Sequence, residues 1–269
     1  MRVTLNNSKS DHDFPQSKFV IVGTQRTGSS AYAEALNSHP GIACGWEWGQ
    51  KALFIDKTRV AESAYSGDFS MLRAHERDHI LSLLEKRPDW IGYRRLFRSS
   101  DKWIIKPAIS PAIWADQMDR YIAWLSRNQG IHVIHIVRRD NIAWLRSKYM
   151  ANLTRSFVGK SYPDGVSIKI PIEQAVRRIL SKEFVDGRLA TLSGTNPYLR
   201  INYEEFLDNR DCVIADSFSF LDCAPLSTEE REQTIRRQSI RSPEEQVINY
   251  AELHDALSRR GLLYSNVET

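Results

Sequence analysis

The sequence predicts an α/β protein: a P-loop-like, mostly parallel sheet flanked by helices. Two segments carry that prediction. Phe19 to Ala31 (FVIVGTQRTGSSA) reads as a buried strand, a glycine-punctuated turn and a helix entry, the arrangement that cradles a phosphate on backbone N–H groups. His132 to Val137 (HVIHIV) reads as a second buried strand, and Arg138-Arg139-Asp140 then opens a helix containing Ser147. Strands alternating with helices favour parallel pairing, which places a binding crevice at the C-terminal strand edge where both segments turn.

The remaining elements follow from apolar spacing and breakers. Met1 to Ser17 is polar and reads as a flexible lead-in to a single domain over 18–269. The first strand covers 18–23, and the helix at 28–37 stops at Asn37-Ser38-His39-Pro40-Gly41, which holds two helix breakers. Ile42 to Gly45 is a short extended piece delivering Trp46-Glu47-Trp48. A helix is expected over Phe69 to Lys86, on Leu72, Ile80, Leu83 and Leu84. Trp103 to Lys106 reads as a strand before Pro107, followed by a helix over Pro111 to Asn128. Beyond the second motif come a loop at 154–170 and a long helix at 171–192, whose stripe of Ile172, Val176, Ile179 and Leu180 is expected to pack on the sheet. A strand at 198–202 leads into a helical remainder ending through Leu257.

Composition narrows the function classes. Apolar residues make up 42% and charged residues 26% of 269, the balance of a folded globular chain. No apolar run approaches the roughly 18 to 20 residues that cross a bilayer, and Asp11, His12 and Asp13 stand where a signal peptide needs an apolar core. Cys44, Cys212 and Cys223 form no CxxC pair and are odd in number, which points to reduced thiols and a cytoplasmic setting. His132 and His135 fall on opposite faces of a strand, so no metal site is expected. The net charge of +4 is dispersed; it suits a small polyanionic ligand, and nucleic acid is not expected as a partner.

The first loop departs from the nucleoside-triphosphate pattern G-x-x-x-x-G-K-[ST]. Gly23 and Gly28 keep the spacing, but Ser29 stands where Lys is required and the loop's only cation, Arg26, lies inside it. A triphosphate hydrolase needs that Lys and a Mg²⁺ ligand set. A phosphosulfate presents a sulfuryl group with one charge, within reach of an Arg, a helix N-terminus and two hydroxyls. With Arg26-Thr27-Gly28-Ser29-Ser30 the chain resembles the sulfotransferases that use 3′-phosphoadenosine-5′-phosphosulfate (PAPS), of the bacterial and carbohydrate-type branch with an R-x-G-S-[ST] loop. The resemblance implies donor contacts from Gln25, Arg26, Thr27, Gly28, Ser29 and Ser30. It also implies a 3′-phosphate site at Arg139 and Ser147, eight residues apart, with Arg138 as the competing cation. Tyr198 to Leu207 (YLRINYEEFL) is similar to the family's R-Y-E-D-L segment, with Asn202 for the Arg position and Glu205 for Asp, and supports topology alone.

The resemblance further implies sulfuryl transfer from PAPS to a hydroxyl or amine by in-line displacement, releasing adenosine 3′,5′-bisphosphate without a metal. Arg26 holds developing negative charge. Glu47, between Trp46 and Trp48, is the chosen general base, since aromatic walls raise a carboxyl pKa by desolvation; a surface Glu between two packed indoles is the alternative. His39 is the rival base, Lys106 the candidate stabiliser of the departing oxygen, and Arg237, within Arg236 to Ser239, a late donor contact. The aryl-type R-K-G-x-x-G signature is absent. The acceptor is a small molecule, a saccharide or a protein tyrosine. A P-loop nucleotide kinase or NTPase, or a non-catalytic nucleotide-binding protein, are the alternatives.

Overall fold

The computed structural model describes residues 15, 17–47, 57–97, 111–155, 162–163, 165–226 and 242–265. Within them, β1 (Ser17–Thr24), β2 (Ile42–Glu47), β3 (Trp90–Phe97), β4 (Ile131–Val137) and β5 (Tyr198–Asn202) form one all-parallel sheet in the order β2-β3-β1-β4-β5. The helices are α1 (Ser29–Leu36), α2 (Lys57–Tyr65), α3 (Ala74–Leu84), α4 (Pro111–Arg127), α5 (Asn141–Thr154), α6 (Ile172–Ala190), α7 (Tyr203–Asp208), α8 (Arg210–Phe220), α9 (Pro243–Gln246) and α10 (Tyr250–Ser258), with a 3-10 turn at Thr191–Gly194.

The central strand explains the layers. Phe19, Val20, Ile21 and Val22 are all fully buried, because period-two alternation sends neighbours to opposite faces and helices cover both. Phe19 and Ile21 join Tyr32 and Leu36 of α1 and Val213 and Phe218 of α8. Val20 and Val22 join Val60 of α2, Tyr121 of α4 and Val185 and Leu189 of α6. Each such side chain contributes roughly 1.5–3 kcal/mol of gross hydrophobic stabilisation. A third apolar centre, built from Ile142, Trp144 and Leu145 of α5, Ile179 of α6 and Leu253 and Leu257 of α10, lies beyond these two.

The structure revises four expectations. Trp90–Phe97 is a strand that the sequence reading passed over, since WIGYRRLF carries adjacent arginines. Alternation resolves them: Arg95 lies over the Phe97 and Tyr121 rings at 4.8 and 5.7 Å, while Arg94 turns to the other face. Lys57–Tyr65 is a further helix. The helix expected from Phe69 begins only at Ala74, because the Glu76 carboxylate accepts from the Arg73 N–H and caps it there. In α6 the buried stripe is Ala175, Ile179, Lys182, Val185, Asp186 and Leu189; Leu180 is 51% exposed, one residue around the helix from the face that packs. The strand expected at Trp103 to Lys106 and the lead-in through residue 14 lie outside the described residues.

Gly92 of β3 pairs in register with Phe19, and a Cβ built there would meet that ring at 2.3 Å. Gly92→Ala should therefore lower unfolding free energy by about 1–3 kcal/mol in urea titrations, while Gly130→Ala, with nothing within 4 Å, should stay close to wild type.

Candidate active site

Strand register puts three chain turns side by side. Gly23 pairs with Ile136, and Val137 with Asn202, so the residues after β1, β4 and β5 emerge level with one another, roughly 5 Å apart from strand to strand. Between β1 and α1 the loop takes two left-handed residues, Arg26 (φ 73°) and Gly28 (φ 78°). Glycine suits the second position; a Cβ there would also lie 2.2 Å from the Tyr203 ring. Gly28 caps α1 without a side-chain bond, and the first intrahelical donor is the Tyr32 N–H. The N–H groups of the preceding first turn, from Ser29 to Ala31, thus face out of the helix end, where the helix dipole favours an anion.

The second strand-helix unit reaches directly into this loop. Arg26 Nε donates to Ser147 Oγ at 3.1 Å, and its terminal nitrogen donates to the Tyr162 hydroxyl at 2.9 Å. Arg138, buried at the end of β4, donates to the Arg26 carbonyl at 3.3 Å and lies 4.7 Å over the Tyr203 ring. The Trp144 indole N–H donates to the Gln25 carbonyl at 2.9 Å. Buried Arg146 donates to Gln246 Oε1 of α9 at 3.2 Å; burial, and then the charge of Arg138, hold its pKa below the usual guanidinium value. Cations thus crowd one mouth.

Two further elements frame it. From β5 and α7, Tyr203 covers Gly28, and the Glu204 carboxylate accepts from the N–H groups of Arg139 and Asp140 at 3.0 Å each. Asp140 in turn caps α5 by accepting from the Ala143 N–H. From β3, Arg94 donates to Ser30 Oγ, leaving that hydroxyl's own proton to point elsewhere. Arg94 also faces a small cleft lined by Ala33, Glu34, Asn37, Cys44, Gly45 and His79. Burial there pushes the Cys44 thiol up to about 12 against the opposing pull of Arg94, and burial lowers the His79 pKa with Arg94 adding to it.

Of the residues expected from sequence, Gln25, Arg26, Thr27, Gly28, Ser29 and Ser30 form this loop and Ser147 meets it. Thr27 is fully buried and its hydroxyl donates to the Thr24 carbonyl, which staples the turn. Of the adjacent arginines, Arg138 is turned inward against the loop, while Arg139 is exposed, with its backbone held by Glu204 and by the Ser265 N–H. His39 lies past the far end of α1: its Nδ1 accepts from the Gly41 N–H, its Nε2 therefore donates to the Ala224 carbonyl, and its ring packs on Phe218. The Glu47 backbone ends β2 opposite Arg94; its side chain, Lys106 and Arg237 lie outside the described residues. Arg94, Trp144, Tyr162, Tyr203 and Glu204 were missed. Period-two reading of WIGYRRLF signals Arg94, whereas nothing local in sequence signals the others.

Among the described residues no three His, Cys, Asp or Glu side chains converge as a metal site, and no helix is long and apolar enough to cross a membrane. No protein-family model and no curated protein matches the sequence. Among the solved structures similar to the chain are sulfotransferases. The sulfotransferase domain of the Synechococcus PCC 7002 olefin synthase is 13% identical, with 94% of this chain and 90% of that one covered and a TM-score of 0.44. The sulfotransferase from Alicyclobacillus acidocaldarius is 16% identical over 91% and 94% at 0.43, and that from Mycobacterium avium 10% identical over 92% and 77% at 0.43. At such values a functional reading rests on the site's own geometry.

Proposed function

We propose that the chain is a sulfotransferase that moves a sulfuryl group from PAPS to a hydroxyl or amine acceptor. The observation that carries this reading is the Arg26–Ser147 hydrogen bond of 3.1 Å, which joins the two strand-end motifs, 121 residues apart, into a single cation-rich mouth. A ligand with anionic groups at both ends of one nucleoside suits such a mouth better than an isolated phosphate does. The loop N–H groups, the N-terminus of α1 and Arg26 would take the 5′-phosphosulfate, and exposed Arg139 with Ser147 the 3′-phosphate.

The reaction follows from those positions. An acceptor oxygen or nitrogen attacks sulfur as the bond from sulfur to the bridging oxygen breaks in line, and the bisphosphate departs with the electron pair. Ser30, held by Arg94 through its oxygen lone pair, donates its proton toward the sulfuryl or phosphate oxygens as charge builds there. Glu47, whose backbone ends the strand beside Arg94, takes the acceptor's proton; Lys106 neutralises the leaving oxygen and Arg237 adds a donor contact. The acceptor is a small molecule, a saccharide or a protein tyrosine, and a cytoplasmic setting fits the odd number of thiols.

Thermal shift tests the reading. Adenosine 3′,5′-bisphosphate should raise the melting temperature without metal, because a ligand selective for the folded state stabilises it; a response to ATP with Mg²⁺ alone would identify a nucleotide kinase or NTPase instead. Arg139→Ala should weaken the bisphosphate by about tenfold or more, with adenosine 5′-monophosphate little affected, as expected for a lost charge-assisted contact to one phosphate. Equal losses for both nucleotides would remove Arg139 from that role. Glu47→Gln should reduce labelled sulfate transfer by about 10²–10⁴-fold with unchanged bisphosphate affinity; full activity would remove Glu47 as the base.

A further inference from the structure

Trp144 and the charges beneath it have no place in the transfer chemistry, yet they are among the most thoroughly buried groups in the molecule. Trp144, Lys182, Asp186 and His135 are all fully buried. Lys182 Nζ lies 3.1 Å from Asp186 Oδ2 and 5.9 Å from the Trp144 ring centre; His135 Nε2 is 3.7 Å from Asp186 Oδ1, and its Nδ1 pairs with the Tyr198 hydroxyl at 2.6 Å. Buried ions of this kind are expensive to desolvate, and replacing such a pair by apolar residues is often neutral or stabilising. Fold stability is thus a weak reason for their presence.

The direction of the Trp144 bond suggests a stronger one. A peptide group is planar, with its C=O and the following N–H pointing in opposite directions. Because the indole draws the Gln25 carbonyl toward α5, the Arg26 N–H must point away from α5. On the other side of the same residue, Arg138 holds the Arg26 carbonyl, which likewise fixes the direction of the Thr27 N–H. Arg26 sits at φ 73°, where a residue with a Cβ does not stay without outside support. Both peptide planes flanking it are held from the β4–α5 unit.

We infer that Trp144 is a positioning residue for the anion-binding loop, and that the buried Lys182–Asp186–His135 cluster fixes the indole that performs this task. The ammonium over the ring face restrains its tilt, Asp186 pairs with the ammonium at 3.1 Å, and the His135 ring, held by the Tyr198 hydroxyl, packs beside Asp186. This deepens the proposed function, because the N–H groups so aimed are those assigned to the phosphosulfate; the loop geometry itself does not depend on that assignment.

Hydrogen exchange of the ligand-free protein tests it directly. Trp144→Phe keeps an aromatic body, deletes the N–H donor and loses some buried ring volume, whose cost β4 shares; exchange in the segment 25–31 should accelerate about tenfold relative to β4, the scale of one lost buried hydrogen bond, and bisphosphate affinity should fall by a similar factor. Acceleration equal in both segments, or none in the loop, overturns the inference. The paired variant Lys182→Met/Asp186→Leu leaves no uncompensated charge, so it provides a second arm should Trp144→Phe fail to fold. It should accelerate loop exchange severalfold with the melting temperature held; unchanged loop exchange in that variant defeats the role of the cluster. Absence of bisphosphate binding by the wild-type protein would defeat the sulfotransferase reading, while the exchange comparison would still decide this one.

Discussion

A left-handed arginine in the first loop is the constraint around which the neighbouring structure is arranged. Holding a residue with a Cβ at φ 73° costs on the order of 1–2 kcal/mol, and the loop's own glycine relieves only the next turn. The compensation comes from chain more than a hundred residues away: Arg138 and Trp144 hold the two flanking carbonyls, and Ser147 and Tyr162 receive the guanidinium. Loop and second unit therefore specify each other, and the mouth exists only when both are folded.

Topology makes that mutual support possible. With β1 between β3 and β4, the loop after it has a neighbour on each side at the same height: Arg94 of β3 reaches Ser30 from one flank, and Arg138 reaches Arg26 from the other. β5 adds a third turn in register, so that the Tyr203 ring meets both the Arg138 guanidinium and Gly28. Glu204 then accepts from the two N–H groups at the β4–α5 junction, neutralising in part a corner that otherwise concentrates positive charge.

How much of this was legible in the sequence depends on whether the information was local. Phe19 to Ala31 and His132 to Ser147 carry their meaning in consecutive residues, and strand, turn and helix entry fall in both where apolar runs and breakers put them. β3 was missed because two arginines in eight residues look like a surface segment unless strand alternation is applied, which sends one to an aromatic shelf and the other to the loop. Leu180 was misplaced for a related reason: α6 buries Lys182 and Asp186 in its inner stripe, and an apolar count selects against them. Tyr203 over Gly28 and the Trp144 indole on Gln25 are contacts between distant segments, with no pattern in either partner alone. His39, near the phosphate loop in sequence, lies a helix length from it in space.

The loop from Gly23 to Ser30 itself carries no carboxylate, while Glu204 and Asp140 flank it. Arg138 and Arg146 are both buried; burial, and then the charge of Arg138, hold the Arg146 pKa below its usual value while Asp140 pulls the other way. Glutamates beside these arginines would stabilise the ligand-free protein and compete for the same donors. Two buried guanidinium groups that repel one another make the ligand-free state less favourable, so an anion bound beside them would couple affinity and folded-state stability through the same side chains. Under the proposed function such a mouth would discriminate by charge distribution, favouring a ligand that brings one anionic group to the helix end and another to the 3′-phosphate site proposed for Arg139 and Ser147.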